Sequence, residues 1–205
     1  MKVRTEARRN AILQAAASLF QEMGYERASM NELAKRIGGS KATLYGYFSS
    51  KEELFVAVVE AFSTVHLLDA VQSLTTPEAE QLTLKARLTQ FAERMLSVLT
   101  NDRSAIAVYR MVVAESGHSD VGNLFHEAGP AEAHKAIARL LEAAMDRGEL
   151  RRADPAITAM HFLALVTAES EMRLFQKDPP PLAAGQLGPM VQRAVDMFFN
   201  GAAPC

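Results

Sequence analysis

Apolar side chains recur every three or four residues along most of this chain, and β-branched alternation never persists. That spacing is the period of an α-helix with one buried face, and Ala, Leu, Glu, Arg and Met supply the positions between. The fold class that follows is all-α. Ile12, Ala16, Leu19, Phe20 and Met23 mark one face of a first helix, from about Thr5 to Met23, that stops at Gly24.

Polar punctuation then divides the chain. Ser29-Met-Asn-Glu32 has the form of a capping box, in which a hydroxyl and a carboxylate satisfy free amides at a helix start, and the helix it opens ends at Ile37-Gly38-Gly39. Ser40 caps a third short helix, Lys41 to Tyr47. Ser50-Lys-Glu-Glu53 repeats the capping box and opens a long fourth helix, from about Lys51 to Leu74. Further helix starts are read at Thr76-Pro77, Gly129-Pro130, Asp154-Pro155 and Gly188-Pro189, each with proline in the first turn. Ser116 to Asp120 reads as a loop, and Lys177-Asp-Pro-Pro-Pro-Leu182 as a stiff extended spacer. The count is about nine helices.

Charge narrows the function. The 205 residues carry a formal net charge of -2, but residues 1–55 hold nine Lys and Arg against six Asp and Glu, and the remainder thirteen against eighteen. The two parts therefore face different partners. The sole cysteine is Cys205, which allows neither an internal disulfide nor a cysteine-rich zinc site and fits a reducing compartment. The first ten residues carry charge but no apolar core of signal-peptide length, and no run of eighteen uncharged apolar residues occurs, so the expected protein is soluble and cytoplasmic, with no membrane partner.

The two short helices joined by Gly38-Gly39-Ser40 form a helix-turn-helix pattern. Ala34 and Ile37 are expected to pack against Leu44 and Phe48, which leaves Lys41, Ala42, Thr43, Tyr45 and Tyr47 for the other faces. Small, polar and basic side chains at the start of such a helix suit the major groove, where thymine methyls and base-edge acceptors are exposed. Tyrosine hydroxyls, Lys51 and the N-terminus of the fourth helix suit the flanking phosphates.

The ordered series Ile12-Leu13-x-Ala15-Ala16-x-x-Leu19-Phe20-x-x-x-Gly24-Tyr25, Ser29-Met30-x-x-Leu33-Ala34, Gly39-Ser40-Lys41-Ala42-Thr43-Leu44-Tyr45-x-Tyr47-Phe48 and Lys51-Glu52-x-Leu54 closely resembles the DNA-binding domain of TetR/AcrR-family transcriptional regulators. Phe125-His-Glu-Ala-Gly-Pro130 and the alanine-rich stretch after it resemble the ligand-binding half of an AefR-like subgroup. The resemblance implies a DNA-binding domain at residues 6–66 and a helical ligand-binding and dimerisation domain at residues 67–205. It also implies a homodimer on a palindromic double-stranded operator, released by a small-molecule effector, with no cofactor. By matching positions, Ser40, Lys41, Thr43, Tyr45, Tyr47 and Lys51 would meet DNA, with Ala42 beside them bearing on which base is read and Ser29 and the Arg4, Arg8, Arg9 arm reaching backbone. This chain departs from the family in having Gly39 where an apolar residue is common before the serine, and Ala42 where glycine is common after the lysine. Gly46 lies inside the recognition helix, where glycine costs about 1 kcal/mol relative to alanine.

Beyond this domain the residues speak less specifically. None of His66, His118, His126, His134 and His161 forms a zinc-type i, i+4 pair with a flanking acid, so ordinary surface or core roles are expected. Seven of ten methionines follow residue 90, which suits an adaptable apolar pocket, and Tyr109, Phe125, Met160, His161 and Phe162 are its candidate lining. A helix from about Pro155 to Phe175, apolar on nearly every face over its first three turns, and a last helix with the stripe Leu187, Met190, Val191, Ala194, Val195 and Phe198 are expected to pair with their counterparts in a four-helix dimer interface. Nucleophile elbows, phosphate loops and dinucleotide fingerprints are missing, so catalysis is not expected. The alternative reading is a helical co-regulator or adaptor that acts through protein contacts without operator binding.

Overall fold

The computed structural model describes residues 5–176, 179–183 and 185–204, and the described residues are helical with no strand. Arg4, the first two residues of the expected proline spacer (Lys177 and Asp178) and Cys205 lie outside them. The chain forms two compact units. The first comprises the residues up to Val65 together with Ser104–Ala128; the second comprises His66–Arg103 and the residues from Gly129 onward.

In the first unit, α1 (Glu6–Met23), α2 (Met30–Arg36), α3 (Lys41–Tyr47) and α4 (Lys51–Val59) follow one another, and each start is set by a hydroxyl. Thr5, Ser29, Ser40 and Ser50 accept the amides of Arg8, Glu32, Thr43 and Glu53 respectively. A π-helical turn, Glu60–Thr64, follows α4. The later segment returns as α8 (Arg103–Glu115, of which Ser104 onward lies in this unit) and α9 (Val121–Glu127), separated by the expected Ser116–Asp120 turn. Phe20, Tyr25 and Phe55 form a three-ring cluster with centroids 5.0 to 5.8 Å apart. Val108, Met111 and Val112 of α8 and Val121 of α9 are buried in the same core.

The second unit begins with α5 (Val65–Gln72, from His66) and a single turn α6 (Pro77–Glu80). Four longer helices complete it: α7 (Leu84–Asn101), α10 (Pro130–Asp146), α11 (Pro155–Ala168) and α12 (Leu187–Ala202). Helix α11 packs against α10 and α12, and α12 against α7. Phe91, Phe162 and Phe198 stack through its centre at 6.4 and 5.2 Å.

Several helices differ from the sequence reading. The helix opened by Thr76-Pro77 stops after one turn and restarts at Thr83, whose hydroxyl accepts the Ala86 amide. The helix expected to reach Phe175 ends at Ala168 and gives way to a 3-10 turn, Glu171–Phe175. There Thr167 and Ser170 donate their hydroxyls back to the carbonyls of Leu163 and Thr167, a competition that loosens α-helical bonding. The long fourth helix is present, running through the π-turn from Lys51 to Gln72, and counted so the described residues form eleven helices rather than about nine. The run Lys51–Gln72 is long and apolar enough by composition to cross a membrane, but Leu54, Phe55, Val58 and Val59 are buried in the first unit's core.

Candidate nucleic-acid interface

The α2–α3 corner is built by backbone chemistry. Gly38 adopts φ +61° and donates its amide to Lys35 O, while Gly39 donates to Ala34 O. These are the paired bonds of a Schellman ending, and the left-handed residue in it favours glycine. Arg8 closes the corner from α1, its Nη2 donating to Ile37 O at 2.9 Å. The guanidinium occupies the space that a side chain at position 39 would enter, since a Cβ there would stand 3.1 Å from Nη2. Glycine at this position and Arg8 therefore complement each other.

Packing then orients α3. Leu44 and Phe48 are fully buried, so the opposite side of the helix is presented outward. Lys41, Ala42 and Tyr45 are exposed, as are Ser29 and Ser40 at the two caps, while Thr43 and Tyr47 are half-buried. The Lys41 ammonium lies 5.6 Å from the Tyr45 ring centroid, which couples the two long side chains on this face. Ser40 and Thr43 share a hydroxyl hydrogen bond at 2.9 Å, and the Thr43 amide is taken by Ser40 Oγ. The Ser29 hydroxyl accepts from Glu32 N at 3.2 Å and keeps its own proton for an outside acceptor.

Other candidates are tied into the unit. Tyr47 accepts the Thr5 amide on its phenol oxygen at 3.1 Å, which anchors the start of α1 beside α3. Lys51 stands 4.2 Å above the Tyr25 ring and donates to Tyr25 O and Glu26 O at 3.1 and 3.4 Å. An ammonium has three protons, so one donor is left over. Arg8 acts at the turn as described, and Arg9 stacks on Phe48 at 5.4 Å.

Burial, followed by the nearby Glu52 carboxylate, pushes the Tyr25 phenol up, and its hydroxyl donates to Glu52 at 3.3 Å. At the start of α4 the Ser49 hydroxyl and amide hold Glu53 below the ordinary carboxylate range. Glu53 thus reaches one residue beyond the reciprocal bond of a standard capping box. Tyr25 enters the sequence reading only as part of the motif series, and Glu115 does not enter it at all. The Glu115 carboxylate accepts Glu26 N at 3.3 Å, 89 residues away in sequence, a separation that no local pattern encodes.

The pocket candidates do not form one set. Tyr109 and Phe125, both half-buried, pack edge to face at 5.9 Å in the first unit. In the second unit Phe162 is core, Met160 is exposed, and His161 lines a cavity of about 600 Å³ with Ile157, Thr158, Met197 and Phe198.

Comparison with known proteins agrees with this geometry. Residues 12–58 match the bacterial regulatory proteins of the tetR family, and residues 86–201 match the C-terminal domain of AefR-like transcriptional repressors. The transcriptional activator FasR of Mycolicibacterium smegmatis is 30% identical over 141 residues, 64% of each chain. The match thus spans just under two thirds of that relative's length. Among solved structures, a TetR-family regulator from Mesorhizobium loti superposes with a TM-score of 0.74 at 27% identity, covering 98% of this chain and all of the other. The flavonoid-responsive regulator FrrA gives a TM-score of 0.74 at 30% identity, covering 98% and 99%. The chain belongs to the TetR family of DNA-binding, helix-turn-helix transcriptional regulators, with an AefR-like repressor C-terminal domain.

Proposed function

We propose that the chain is a ligand-responsive repressor that binds a palindromic operator as a homodimer and is released by a small, apolar effector. The observation that carries this reading is the outward face of α3, where Lys41, Ala42 and Tyr45 are exposed while Leu44 and Phe48 anchor the helix inside. In the proposal α3 enters the major groove. Ala42 and Thr43 meet base edges, Lys41 and Tyr45 meet base edges or phosphate, and Ser29, Ser40, Tyr47 and the remaining donor of Lys51 hold phosphates. Arg8 keeps the corner in shape, and Arg4, outside the described residues, is proposed to reach the DNA backbone.

Residues 6–66 carry DNA binding in this proposal, and residues 67–205 carry dimerisation and the effector. The exposed apolar residues Ile157, Met160 and Met197 on α11 and α12 support pairing with a second copy, which would place two α3 helices about 34–36 Å apart for successive major grooves. Tyr109 and Phe125 are the proposed rings against the effector; Met160 and His161 fit the pairing face better, and Phe162 the core. The flavonoid-responsive relative supports control by a small molecule. A cytoplasmic protein without catalytic activity fits the same reading.

The test is operator retardation in a gel, using duplexes recovered from random DNA by the unaltered protein. Lys41→Ala with Tyr45→Ala is expected to abolish retardation and leave the melting temperature unchanged. Retained binding refutes the assigned face.

A further inference from the structure

The turn Gly24–Glu26 leads from α1 into the helix-turn-helix, and charged groups from two other helices grip it. Lys51 of α4 takes its carbonyls, at Tyr25 and Glu26. Glu115 takes its amide, at Glu26. The carboxylate also lies against Gly24, where a Cβ would stand 2.4 Å from Glu115 Oε1. Gly24 has φ +78°, a conformation that favours glycine, and the absent side chain admits the carboxylate.

Glu115 is unfavourably placed for its own helix. It is the last residue of α8, where the helix dipole disfavours an anion. Local helix stability therefore does not account for it, whereas its bond to the turn does.

We infer that Glu115 is a positioning residue for DNA recognition: it holds the Gly24–Glu26 turn, and through that turn the placement of α2 and α3, without touching DNA. The inference rests on the reading that the first unit binds DNA. A sign difference distinguishes positioning from simple charge. Removing an anion from a DNA-binding unit raises affinity by Coulomb's law, whereas losing the turn's anchor lowers it.

The experiment uses the full chain and a duplex selected from random DNA by the unaltered protein. Glu115→Ala is expected to weaken binding on the order of 5- to 10-fold. The slope of log affinity against log salt should stay unchanged, because no phosphate contact is lost. Glu115→Gln keeps a carbonyl-type acceptor and is expected to restore most of the affinity. Hydrogen exchange at the Glu26 amide should accelerate in the alanine variant and be largely restored in the glutamine variant. Unchanged or increased affinity in Glu115→Ala overturns the inference, as does equal loss in both variants accompanied by a lowered melting temperature. Failure of the unaltered protein to select any duplex overturns the functional reading and this inference with it; selection with an indifferent Glu115→Ala overturns this inference alone.

Discussion

The Tyr47 phenol oxygen accepts the Thr5 backbone amide at 3.1 Å across 42 residues of sequence, joining the last turn of α3 to the first residue before α1. One tyrosine thus has two available roles: acceptor toward its own chain and proton donor toward an external oxygen. Tyr47→Phe removes both. Because the Thr5 amide is exposed, water replaces the lost bond, and the stability loss should stay below about 1 kcal/mol. Duplex affinity is expected to fall more than stability does. Fluorescence anisotropy beside thermal denaturation checks this, and equal proportional losses would assign Tyr47 a purely structural role.

The salt dependence of binding separates Lys41 from Lys51. Lys41 is exposed and Lys51 is half-buried with two protein carbonyl partners. If Lys41 neutralises a phosphate, Lys41→Ala lowers the slope of log affinity against log salt by about 0.9. A smaller change is expected for Lys51→Ala, which should instead lower the melting temperature by freeing the Tyr25 and Glu26 carbonyls. Titrations at several chloride concentrations measure both slopes.

Two glycines with positive φ should respond differently to alanine. A Cβ at Gly38 would meet nothing within 4 Å, so Gly38→Ala costs only the left-handed conformation, about 1–2 kcal/mol. Gly24→Ala adds a collision with the Glu115 carboxylate. Combining Gly24→Ala with Glu115→Ala is therefore expected to be less destabilising than the sum of the two changes, a coupling that denaturant unfolding of the four proteins reads directly.

Much of the first unit was legible because its determinants are local. A serine hydroxyl three residues before the amide it caps is a pattern within one turn, so Ser29, Ser40 and Ser50 announced their helices, and Asp154 with Pro155 announced α11. The outward face of α3 followed from where Leu44 and Phe48 had to go. The return of residues 104–128 into the first unit was not legible, because Val108, Met111 and Val112 have the same spacing whichever core they enter. The break after Ala168 escaped for a different reason. The residues there remain helix-compatible, and the ending depends on back-bonding by Thr167 and Ser170 that competes only weakly with the helix.

Two residues of the first unit should contribute to stability at the pH extremes, Tyr25 on the alkaline side and Glu53 on the acid side, alongside the similarly lowered Glu22 and Glu52. The Tyr25 phenol is raised above its ordinary 10.0 by burial and then by Glu52, so the native state favours the protonated form. Its contribution is complete below pH 10 and is lost as the pH rises through the raised native value. Glu53 is held below its ordinary 4.5 by Ser49, so its contribution is present above that value and is lost as the pH falls through the lowered native one. Tyr25→Phe is expected to flatten the alkaline limb of a melting-temperature profile, and Glu53→Gln the acid limb. Unchanged limbs would mean that other groups set the profile.

Self-association can be tested without damaging the subunit, because the relevant side chains are not part of its core. Ile157, Met160 and Met197 are 48%, 54% and 64% exposed, so charges placed there remain hydrated in the isolated chain and should cost it less than about 0.5 kcal/mol. In a face covered by a second copy the same charges are desolvated without partners, which strongly opposes association. Ile157→Asp with Met197→Glu is therefore expected to sediment as a monomer and retain its helical circular dichroism. Its binding to a full palindrome should fall to the level of a single half-site, because a lone chain carries only one recognition helix. A dimer in the charged variant would move the pairing surface away from α11 and α12, while leaving the assignment of α3 to DNA intact.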